Sequence, residues 1–419
     1  MPNIKATKAL QKRADAAFET FHRSYTTTWG EDRWRSLFAA LSLPTRYCAL
    51  VNRFATQAEV QPLFGNESDH SAPDMRALST STTSYEKTVT FPLVVQSPSR
   101  QSYPVPQQVS SGEAGKLVLS HWNMDLASVL AACVLQVRPG DRVLDLCAAP
   151  GGKSIVLAQM LWPEGYADST RSSESTSDTL STCLHSNESD HARHKRLLAN
   201  MQSYLPSKLF ANGAVKIVRI DGSDKSAVHE LPLGSGGYDK VLLDAPCSSE
   251  RHVIQAHVKA ASAGQIADEM ANWKASHTKS LAKTQAALLM TALKAVKLGG
   301  KILYATCSIS HEENDDVIER TIEAAKRERK KSFDSPQSAW RIKVDSPFEG
   351  DASGNYLLES MSEATKYGRI ALPDHPAEGH WGPLYFCSIQ KVPYKDKTEA
   401  TPNAKAEQSR DQVSPNVPA

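Results

Sequence analysis

The stretch Val143-Leu-Asp-Leu-Cys-Ala-Ala-Pro-Gly-Gly-Lys-Ser154 decides the fold. It begins as a short apolar run, passes through two successive glycines, and ends where helical spacing begins. A strand that enters a helix through a glycine turn lets a ligand approach the backbone and directs helix N–H groups toward it. The spacing matches neither the G-x-G-x-x-G dinucleotide motif nor the phosphate-binding loop G-x-x-x-x-G-K. The stretch therefore predicts a ligand-binding turn in an α/β fold.

Short β-branched runs alternate with helical stretches through the rest of the chain. Such alternation implies right-handed crossovers and a parallel sheet. The pattern predicts strands over 142–147, 215–221, 240–244 and 301–307, and it predicts helices over 153–161, 190–204, 281–297 and 312–325. We expect these elements to form one domain over residues 115–394.

The flanking segments differ in composition from this domain. Residues 1–62 combine helical spacing with nine Lys or Arg against five Asp or Glu, which predicts a basic helical extension. Residues 63–114 are rich in Ser, Thr and Pro and are predicted to be a connector with one strand near 87–95. Residues 169–182 contain ten Ser or Thr and are interpreted as a low-complexity surface insertion. Residues 395–419 have almost no large apolar side chains and are predicted to be disordered.

Composition narrows the class of protein. The 419 residues carry 48 Lys or Arg and 46 Asp or Glu, so a net charge of +2 does not by itself indicate nucleic acid or membrane. Seven cysteines form no C-x-x-C pair, which argues against a disulfide framework and a zinc ribbon. The sequence contains no run of about 18 apolar residues, which is the length that a membrane-spanning helix needs. The first fourteen residues are basic and lack acids, as in a mitochondrial targeting segment or the first turn of a solvated helix: Lys5, Lys8, Lys12 and Arg13.

Two further motifs place a cysteine just beyond a buried strand: Leu243-Asp-Ala-Pro-Cys-Ser248 and Tyr304-Ala-Thr-Cys-Ser308. A free cysteine is usually a small buried hydrophobe, but two at matching strand ends suggest a shared pocket. On the same sheet edge, Glu188 suits a ribose diol and Asp221-Gly222 suits an adenine edge. Together these positions predict a nucleoside-containing cofactor. The cysteines without this placement are interpreted as structural: Cys48, Cys133, Cys183 and Cys387.

Three motifs resemble those of the NSUN (Nol/Nop/Sun) family of RNA cytosine-C5 methyltransferases: Leu146-Cys-Ala-Ala-Pro-Gly-Gly-Lys153, Asp244-Ala-Pro-Cys247 and Ala305-Thr-Cys-Ser308. The mitochondrial ribosomal-RNA branch of that family is also similar at three further places: Tyr47-Cys-Ala-Leu-Val-Asn-Arg-Phe54, Arg251-His252 and Gly382-Pro-Leu-Tyr-Phe-Cys387. The resemblance implies an α/β, class I (Rossmann-like) methyltransferase that uses S-adenosyl-L-methionine. It further implies a mainly parallel seven-stranded sheet and an N-terminal helical extension.

The resemblance also assigns roles to residues. It makes Cys307 the nucleophile that adds to C6 of cytosine, gives Cys247 the release step, and puts Asp244 beside the base. Asp244 would act there either protonated toward N3 or bridging to N4. Glu188 would take the ribose, where the branch usually has Asp, and Arg193 would brace its loop. The remaining implied cofactor contacts are Cys147, Ala148, Pro150, Gly151, Gly152, Lys153, Asp221, Gly222 and Asp244, with Gly151, Gly152 and Lys153 at the methionine end.

The resemblance implies RNA as partner, with mitochondrial small-subunit ribosomal RNA favoured and transfer RNA as the alternative. It also suggests an accessory protein of the mitochondrial ribosome and a location in the mitochondrial matrix, with cytoplasm or nucleolus as alternatives. No membrane and no metal are expected. Candidate phosphate contacts are the basic extension and a lysine-rich stretch with Lys274, Lys279, Lys283, Lys294 and Lys297.

Three other functions fit the sequence less well. A cytidine deaminase needs P-C-x-x-C to hold zinc, whereas Pro246-Cys247 is followed by Ser-Ser-Glu. His191 and His194 lie three apart, and without a matching acid or thiol pattern we interpret them as exposed helix residues. A DNA cytosine methyltransferase would use Cys247 as nucleophile and leave Cys307 without a role. A non-catalytic RNA-binding scaffold would not require both cysteines, Asp244 and the whole glycine turn.

Overall fold

The computed structural model describes residues 8–64, 92, 94–96, 105–111, 113, 115–163, 182–234, 236–331, 340–348, 352–377 and 380–394. The first seven residues, most of the predicted connector and Ser-rich insertion, and the predicted tail lie outside these ranges. The proposed domain boundaries stay predictions. None of the helices in the described ranges is long and apolar enough to cross a membrane.

The helices and strands follow in chain order. The N-terminal part contains α1 (Lys8–Trp29), α2 (Glu31–Ser42), β1 (Cys48–Val51), α3 (Gln57–Val60), β2 (Val94–Gln96), β3 (Gln108–Ser110), β4 (Leu117–Leu119), β5 (His121–Met124) and α4 (Leu126–Val134). The first half of the domain contains β6 (Arg142–Asp145), α5 (Gly152–Leu161), β7 (Cys183–Asn187), α6 (His191–Tyr204), α7 (Ser207–Ala211), β8 (Val215–Val218), α8 (Ala227–Glu230) and β9 (Tyr238–Asp244). The second half contains α9 (Glu250–Ser262), α10 (Asp268–Ala271), α11 (Ala275–Ala295), β10 (Val296–Thr306), α12 (Asp315–Lys331), β11 (Trp340–Val344), α13 (Ala352–Met361), β12 (Glu363–Ala364), β13 (Arg369–Ala371) and β14 (Leu384–Pro393).

The main sheet confirms the predicted α/β architecture. Its five central strands are parallel in the order β8-β7-β6-β9-β10, so β6 and β10 share one sheet. Antiparallel β14 extends this core, and β13 and β11 pair with different parts of β14. Within the described ranges the sheet has nine strands, two more than the predicted seven. The difference arises at the edge, where β12 and β13 have only two and three residues and therefore carry no readable alternation.

Alternation along the buried strands builds two apolar cores. Val143, Leu242 and Leu303 point to one face, where α4, α5 and α6 pack. Their neighbours Leu144 and Val241 point to the other face, where α11 and α12 pack. Helices on both faces cover the sheet completely, which is the arrangement expected of parallel strands.

The N-terminal helices share the second core with the sheet. Phe21 and Tyr25 of α1 pack against Trp34 of α2 and Trp273 of the domain, with ring centroids 4.8 to 6.2 Å apart. The helical structure predicted for residues 1–62 is wrong at β1, which pairs antiparallel with β5 and β2. A four-residue apolar run is too short for its period to distinguish a strand from a helix.

Some predicted boundaries shift by a few residues. The helix predicted over 281–297 begins earlier, at Ala275, and ends at Ala295, so its last two predicted residues open β10. The helix predicted over 312–325 begins at Asp315, because residues 311–313 form a 3₁₀ turn. This turn brings Glu313 beneath the strand ends.

Candidate active site

The candidate site lies where the strand order reverses. β6 connects outward to β7 and β8 on one side, while β9 and β10 lie on the other side, so the carboxyl ends of β6 and β9 flank a crevice. Ligands of open α/β sheets bind at such a switch point. A cavity of about 750 Å³ opens there. Nine of the residues implied by the resemblance line it: Cys147, Lys153, Glu188, Arg193, Asp221, Gly222, Asp244, Cys247 and Cys307.

The two cysteines of the strand-end motifs meet in this cavity. Cys247 follows β9 and Cys307 follows β10, and their Sγ atoms are 3.0 Å apart. Ser249 Oγ lies 3.1 Å from Cys307 Sγ and 3.6 Å from Cys247 Sγ. Both thiols are free and partly exposed. The sequence placed the cysteines on one sheet edge, and the fold brings them into direct contact.

The contact makes the two thiols chemically unequal. The hydrogen bond from Cys247 lowers the pKa of Cys307, against the effect of burial, and the Ser249 hydroxyl acts in the same direction. The same hydrogen bond, together with burial, raises the pKa of Cys247 well above its usual range. A donor that stabilises the charged form of its neighbour is itself held in the neutral form. Cys307 is therefore the thiol of the pair that ionises more readily.

Ser249 was not selected from the sequence, and its backbone explains how it reaches Cys307. It is the N-cap of α9 and adopts the left-handed conformation, with φ +51°. Non-glycine residues rarely adopt this region, and they concentrate at functional sites when the surroundings hold them there. The turn directs the hydroxyl toward the thiols. Its position two residues after Cys247 was the available sequence signal.

Asp244 at the end of β9 forms an ion pair across the crevice. Lys153 Nζ donates a hydrogen bond to Asp244 Oδ2 at 2.7 Å. Burial disfavours the Lys153 ammonium, but the Asp244 carboxylate outweighs this effect and raises the pKa of Lys153. The pair brings a carboxylate and an ammonium to the wall beside Cys307, which also favours the ammonium electrostatically.

A second carboxyl group lies behind this pair. Asp145, the last residue of β6, is fully buried and accepts a hydrogen bond from Ser154 Oγ at 2.6 Å. Burial raises its pKa to about 7. Burial and neighbouring acids, Asp145 first, raise the pKa of Cys147 well above its usual range. Cys147 is therefore a neutral thiol in the wall, which fits a contact residue and not a nucleophile.

The other end of the cavity carries the predicted cofactor contacts. Glu188 is 5% exposed and ion-pairs with Arg193 at 3.3 Å. Arg193 also donates to the backbone oxygen of Ala149 at 3.0 Å, so it joins the Glu188 loop to the glycine turn. Asn187 fixes the same region by donating to the carbonyls of Leu146 and Ile220. A buried carboxylate at a strand end facing the cavity suits a ribose diol, so these residues fit a nucleoside-containing cofactor.

The adenine-side residues are arranged differently. Asp221 is exposed and accepts from the backbone and hydroxyl of Ser223, at 3.0 and 2.7 Å. Gly222 lies against Leu288 and Leu146, where a Cβ would approach to 3.0 and 3.2 Å. A larger residue there would displace the apolar wall of the cavity.

The glycine turn supports the wall without being part of it. Gly151 has φ +120° and is the N-cap of α5, and a Cβ there would meet Leu197 Cδ1 at 3.3 Å. A Cβ on Gly152 would meet Trp122 at 2.9 Å. Cavity-lining residues include Ala149 but not these predicted contacts: Ala148, Pro150, Gly151 and Gly152.

A polar cluster at the opposite wall was missed as part of the site. Asp125, the N-cap of α4, accepts from the backbone N–H groups of Ala127 and Gly382 and lies 3.8 Å from Arg251. Burial raises the pKa of Asp125 to about 6, although Arg251 acts in the opposite direction. Asp125 and Arg251 both line the cavity. The sequence contained a signal, since Arg251 and Gly382 belong to the motifs that resembled the ribosomal-RNA branch.

The predicted phosphate-binding lysines are partly engaged within the protein. Lys279 lies 3.9 Å from Glu312, Lys294 lies 3.4 Å from Glu328, and Lys297 pairs with Asp239. The basic N-terminal unit behaves similarly, since Arg33 pairs with Glu363 and Asp374 and Arg13 donates to Ala271 O and Asn272. Many of these charged side chains therefore form contacts that hold the helices on the domain. Of the two histidines in α6 that were predicted to be exposed, His191 is exposed and His194 is partly buried.

Comparisons of the sequence and the fold with known proteins find similar methyltransferases. The family model of the 16S rRNA methyltransferase RsmB/F matches residues 132–346, just over half of the chain. The mitochondrial tRNA (cytosine(34)-C(5))-methyltransferase of Danio rerio is 27% identical over 395 residues, covering 92% of this chain and 90% of that protein. The 5-cytosine rRNA methyltransferase NSUN4 of Bos taurus is 28% identical over 394 residues, covering 90% and 88%. The crystal structure of NSun6 from Pyrococcus horikoshii has a TM-score of 0.50 at 15% identity and covers 90% of this chain and 98% of that one.

The fold and site define a class I methyltransferase that uses S-adenosyl-L-methionine. Its sheet order and switch-point cavity belong to that class. The chain belongs to the 16S rRNA methyltransferase RsmB/F family and is an RNA cytosine-C5 methyltransferase of the NSUN type.

Proposed function

We propose that this protein methylates a cytosine of mitochondrial small-subunit ribosomal RNA through a covalent bond between Cys307 and C6 of the base. One observation carries the covalent route. Cys307 Sγ lies 3.0 Å from Cys247 Sγ and 3.1 Å from Ser249 Oγ, in a cavity that also holds Asp244 and Lys153. Two donors directed at one sulfur are what a thiolate nucleophile needs.

The attacking group is the Cys307 thiolate. C5 of cytosine is a poor nucleophile, and addition of a thiolate at C6 breaks aromaticity and makes C5 electron-rich. An ordinary cysteine is only a few per cent thiolate at neutral pH. The lowered pKa of Cys307, caused first by the hydrogen bond from Cys247, increases that fraction. Bound S-adenosyl-L-methionine supplies an electrophilic methyl group on a sulfonium.

Asp244 and Lys153 hold the base during this step. Asp244 Oδ2 accepts a hydrogen bond from Lys153 at 2.7 Å, and we assign the Asp244 carboxyl group to accept a further hydrogen bond from the N4 amino group of cytosine. Lys153 then serves as the hydrogen-bond donor toward the N3 side, where negative charge develops as Cys307 adds. This division of roles selects the N4 bridge over a protonated Asp244.

Cys247 serves the release step. While Cys307 is a thiolate, Cys247 keeps its proton because it donates to that thiolate. Once Cys307 is bonded to carbon, this reason for a raised pKa disappears, and Cys247 gives up its proton more readily. As a thiolate, Cys247 takes part in removing the C5 proton, after which the electrons of the C5–H bond re-form the double bond and expel Cys307.

Alanine variants of the two cysteines test this assignment. Cys247→Ala should accumulate a covalent protein–RNA complex, visible as a slow band on a denaturing gel, because attack proceeds and release stalls. Cys307→Ala and the double variant should show no band, while Cys307→Ala keeps cofactor binding. Cys183→Ala is the matched control, since that cysteine lies at the start of β7. A slow band from Cys307→Ala, and none from Cys247→Ala, would reverse the roles.

The RNA substrate is proposed from the relatives. The family model and NSUN4 of Bos taurus carry ribosomal-RNA descriptions, which supports ribosomal RNA. A transfer RNA is the second candidate, because the Danio rerio transfer-RNA enzyme is similar over the same length. Bisulfite sequencing of RNA from cells with and without the protein decides between them. Loss of one cytosine signal in small-subunit ribosomal RNA is expected, and loss in a transfer RNA would replace the first candidate.

Mitochondrial location and an accessory protein belong to the same proposal. The location is supported by the relative named mitochondrial and by the basic, acid-poor first fourteen residues. From Lys8 onward these residues lie in α1, where Arg13 donates a hydrogen bond to Ala271 O. Cleavage of a targeting segment after Arg13 would remove this contact. Fractionation of tagged full-length protein, followed by identification of proteins that co-purify from mitochondria, tests both points.

A further inference from the structure

A buried hydrogen-bond network joins the two cysteine loops from behind. Ser248 follows Cys247 and Ser308 follows Cys307, and their hydroxyl oxygens are 3.0 Å apart. Both hydroxyls contact Oε1 of Glu250 and Oε1 of Glu313, with Ser308 Oγ at 3.1 and 3.2 Å from them. Both glutamates are fully buried and neither lines the cavity. We propose that Glu250 and Glu313 are positioning residues that hold the two loops together, so that Cys247 can donate to Cys307.

The hydrogen-bond network has more close oxygen–oxygen contacts than hydroxyl protons. It contains five close oxygen–oxygen contacts but only two hydroxyl protons, those of Ser248 and Ser308. Two ionised carboxylates would therefore leave negative oxygens facing the serine oxygens without hydrogen between them. One additional proton on a carboxyl group supplies the third donor. The pair then carries a single negative charge.

The surrounding donors place that proton on Glu313 Oε1. Glu313 Oε2 accepts from the backbone N–H of Ser248 at 3.1 Å and from Gln285 Nε2 at 2.8 Å, so it is an acceptor only. Glu250 accepts from the hydroxyl of Tyr25 at 2.6 Å and from the backbone N–H of Ile309 at 3.1 Å, as a carboxylate does. Burial and then the charge of Glu250 raise the pKa of Glu313 to about 7, in agreement with this placement.

The network connects four helical elements of the fold. Glu250 begins α9, Glu313 ends the 3₁₀ turn before α12, Gln285 belongs to α11 and Tyr25 belongs to α1. The titratable groups that interact electrostatically with the pair are the phenols of Tyr25 and Tyr304 and the thiols of Cys247 and Cys307. The N-terminal helix thereby contacts the support of the catalytic loops. This gives α1 a role in the site without any contact to the cavity.

A positioning role and a purely electrostatic effect predict opposite changes in the pKa of Cys307. Glu250 raises the pKa of Cys307 electrostatically, so removing negative charge nearby would lower it. Loss of the network would instead separate the loops, weaken the hydrogen bond from Cys247 and raise the pKa of Cys307. The inference rests on the proposed role of Cys307, but thiol alkylation without RNA measures the pKa whether or not an adduct forms.

The test is the pH dependence of Cys307 alkylation by iodoacetamide, followed by peptide mass spectrometry in the full chain. Glu313→Ala should move the profile upward by about one pH unit, the size of a weakened hydrogen bond to a charged group. It should also lower kcat about tenfold while leaving KM for RNA and cofactor affinity unchanged. Glu313→Gln imitates the protonated carboxyl, since its amide donates to Ser248 Oγ and its oxygen still accepts. It should restore both readouts to within about threefold of wild type.

The matched control is Glu312→Ala, which removes the neighbouring half-exposed carboxylate and should not raise the profile. A Cys307 profile that moves down in Glu313→Ala overturns the proposal because charge alone would then be at work, and a profile that stays in place overturns it because the network would then have no effect on the thiol. Equal losses in Glu313→Gln and Glu313→Ala also overturn it. If Glu313→Ala does not fold, Ser308→Ala serves as a second variant because it removes one hydroxyl of the same network. It should shift the Cys307 alkylation profile upward by a smaller amount, and the absence of that shift overturns the proposal.

Discussion

Lys153 Nζ lies 2.7 Å from Asp244 Oδ2, and this ion pair spans the crevice between the ends of β6 and β9. The two residues come from different motifs, 91 positions apart. Resemblance had placed Lys153 at the methionine end of the cofactor and Asp244 at the base. Their pairing places both side chains in the wall of the cavity that also holds Cys247 and Cys307.

Lys153→Met is therefore expected to affect catalysis more than cofactor binding. Loss of the ammonium leaves the Asp244 carboxylate unpaired and removes the donor to the base, which should lower kcat by about tenfold to 100-fold. Cofactor affinity should change by less than about threefold. Single-turnover methyl transfer and cofactor titration measure the two effects. Lys326→Met, at an exposed pair with Glu323, is the control. A larger loss in cofactor affinity than in kcat would assign Lys153 to cofactor binding.

Glu188→Ala and Asp221→Ala should both weaken cofactor binding, by about 1–3 kcal/mol for a lost buried hydrogen bond. Glu188 should have the larger effect because it is buried and its removal leaves Arg193 unpaired, whereas Asp221 is exposed. Isothermal titration with cofactor measures both. Asp224→Ala removes a similar exposed turn carboxylate outside the cavity and should bind normally. Normal binding by Glu188→Ala would remove the proposed ribose contact.

Ser249 variants should shift the pH dependence of methyl transfer. The Ser249 hydroxyl lowers the pKa of Cys307, so its loss should move the rising limb of the profile upward by about one pH unit. Ser249→Gly and Ser249→Ala both lack the hydroxyl, but only glycine relaxes the backbone at φ +51°. Equal shifts in the two variants identify the hydroxyl as the cause. A shift in one variant alone would assign the effect to the backbone.

Glu313 should make the folded state less stable as pH rises. Its pKa is raised to about 7 from 4.5, so the folded state binds the proton more tightly than the unfolded chain does. This group therefore destabilises increasingly as pH rises from 4.5 to about 7, by up to about 3 kcal/mol. Glu313→Gln cannot ionise, so its advantage in unfolding free energy over wild type should grow across that window.

Chemical denaturation at about pH 5 and about pH 8 measures this difference. Asp125 and Asp145 also have raised pKa values, but they contribute equally to wild type and variant and cancel in the comparison. A constant offset between wild type and Glu313→Gln at the two pH values would contradict the raised pKa.

The sequence by itself determined the α/β class, the glycine turn and the edge of the sheet on which Glu188, Cys247 and Cys307 lie. It did so because strand alternation and strand-to-helix turns are local features, and because parallel strands bring their carboxyl ends to one edge. The same dependence on local pattern explains why Cys48–Val51 was predicted as part of a helical segment. Four apolar residues have no readable period, and only the pairing of β1 with β5 made them a strand.

Only the tertiary structure decided which partner each site residue has. The pairing of Lys153 with Asp244, the 3.0 Å contact of the two thiols and the joint burial of Glu250 and Glu313 all connect residues from separate loops. Distances of a few tenths of an ångström and the degree of burial set hydrogen bonding and pKa, and neither is encoded in local pattern. The sequence identified the cysteines and several charged groups that line the cavity, whereas Ser249, the Asp125 cluster and the hydrogen-bond partners follow from how the loops pack against one another.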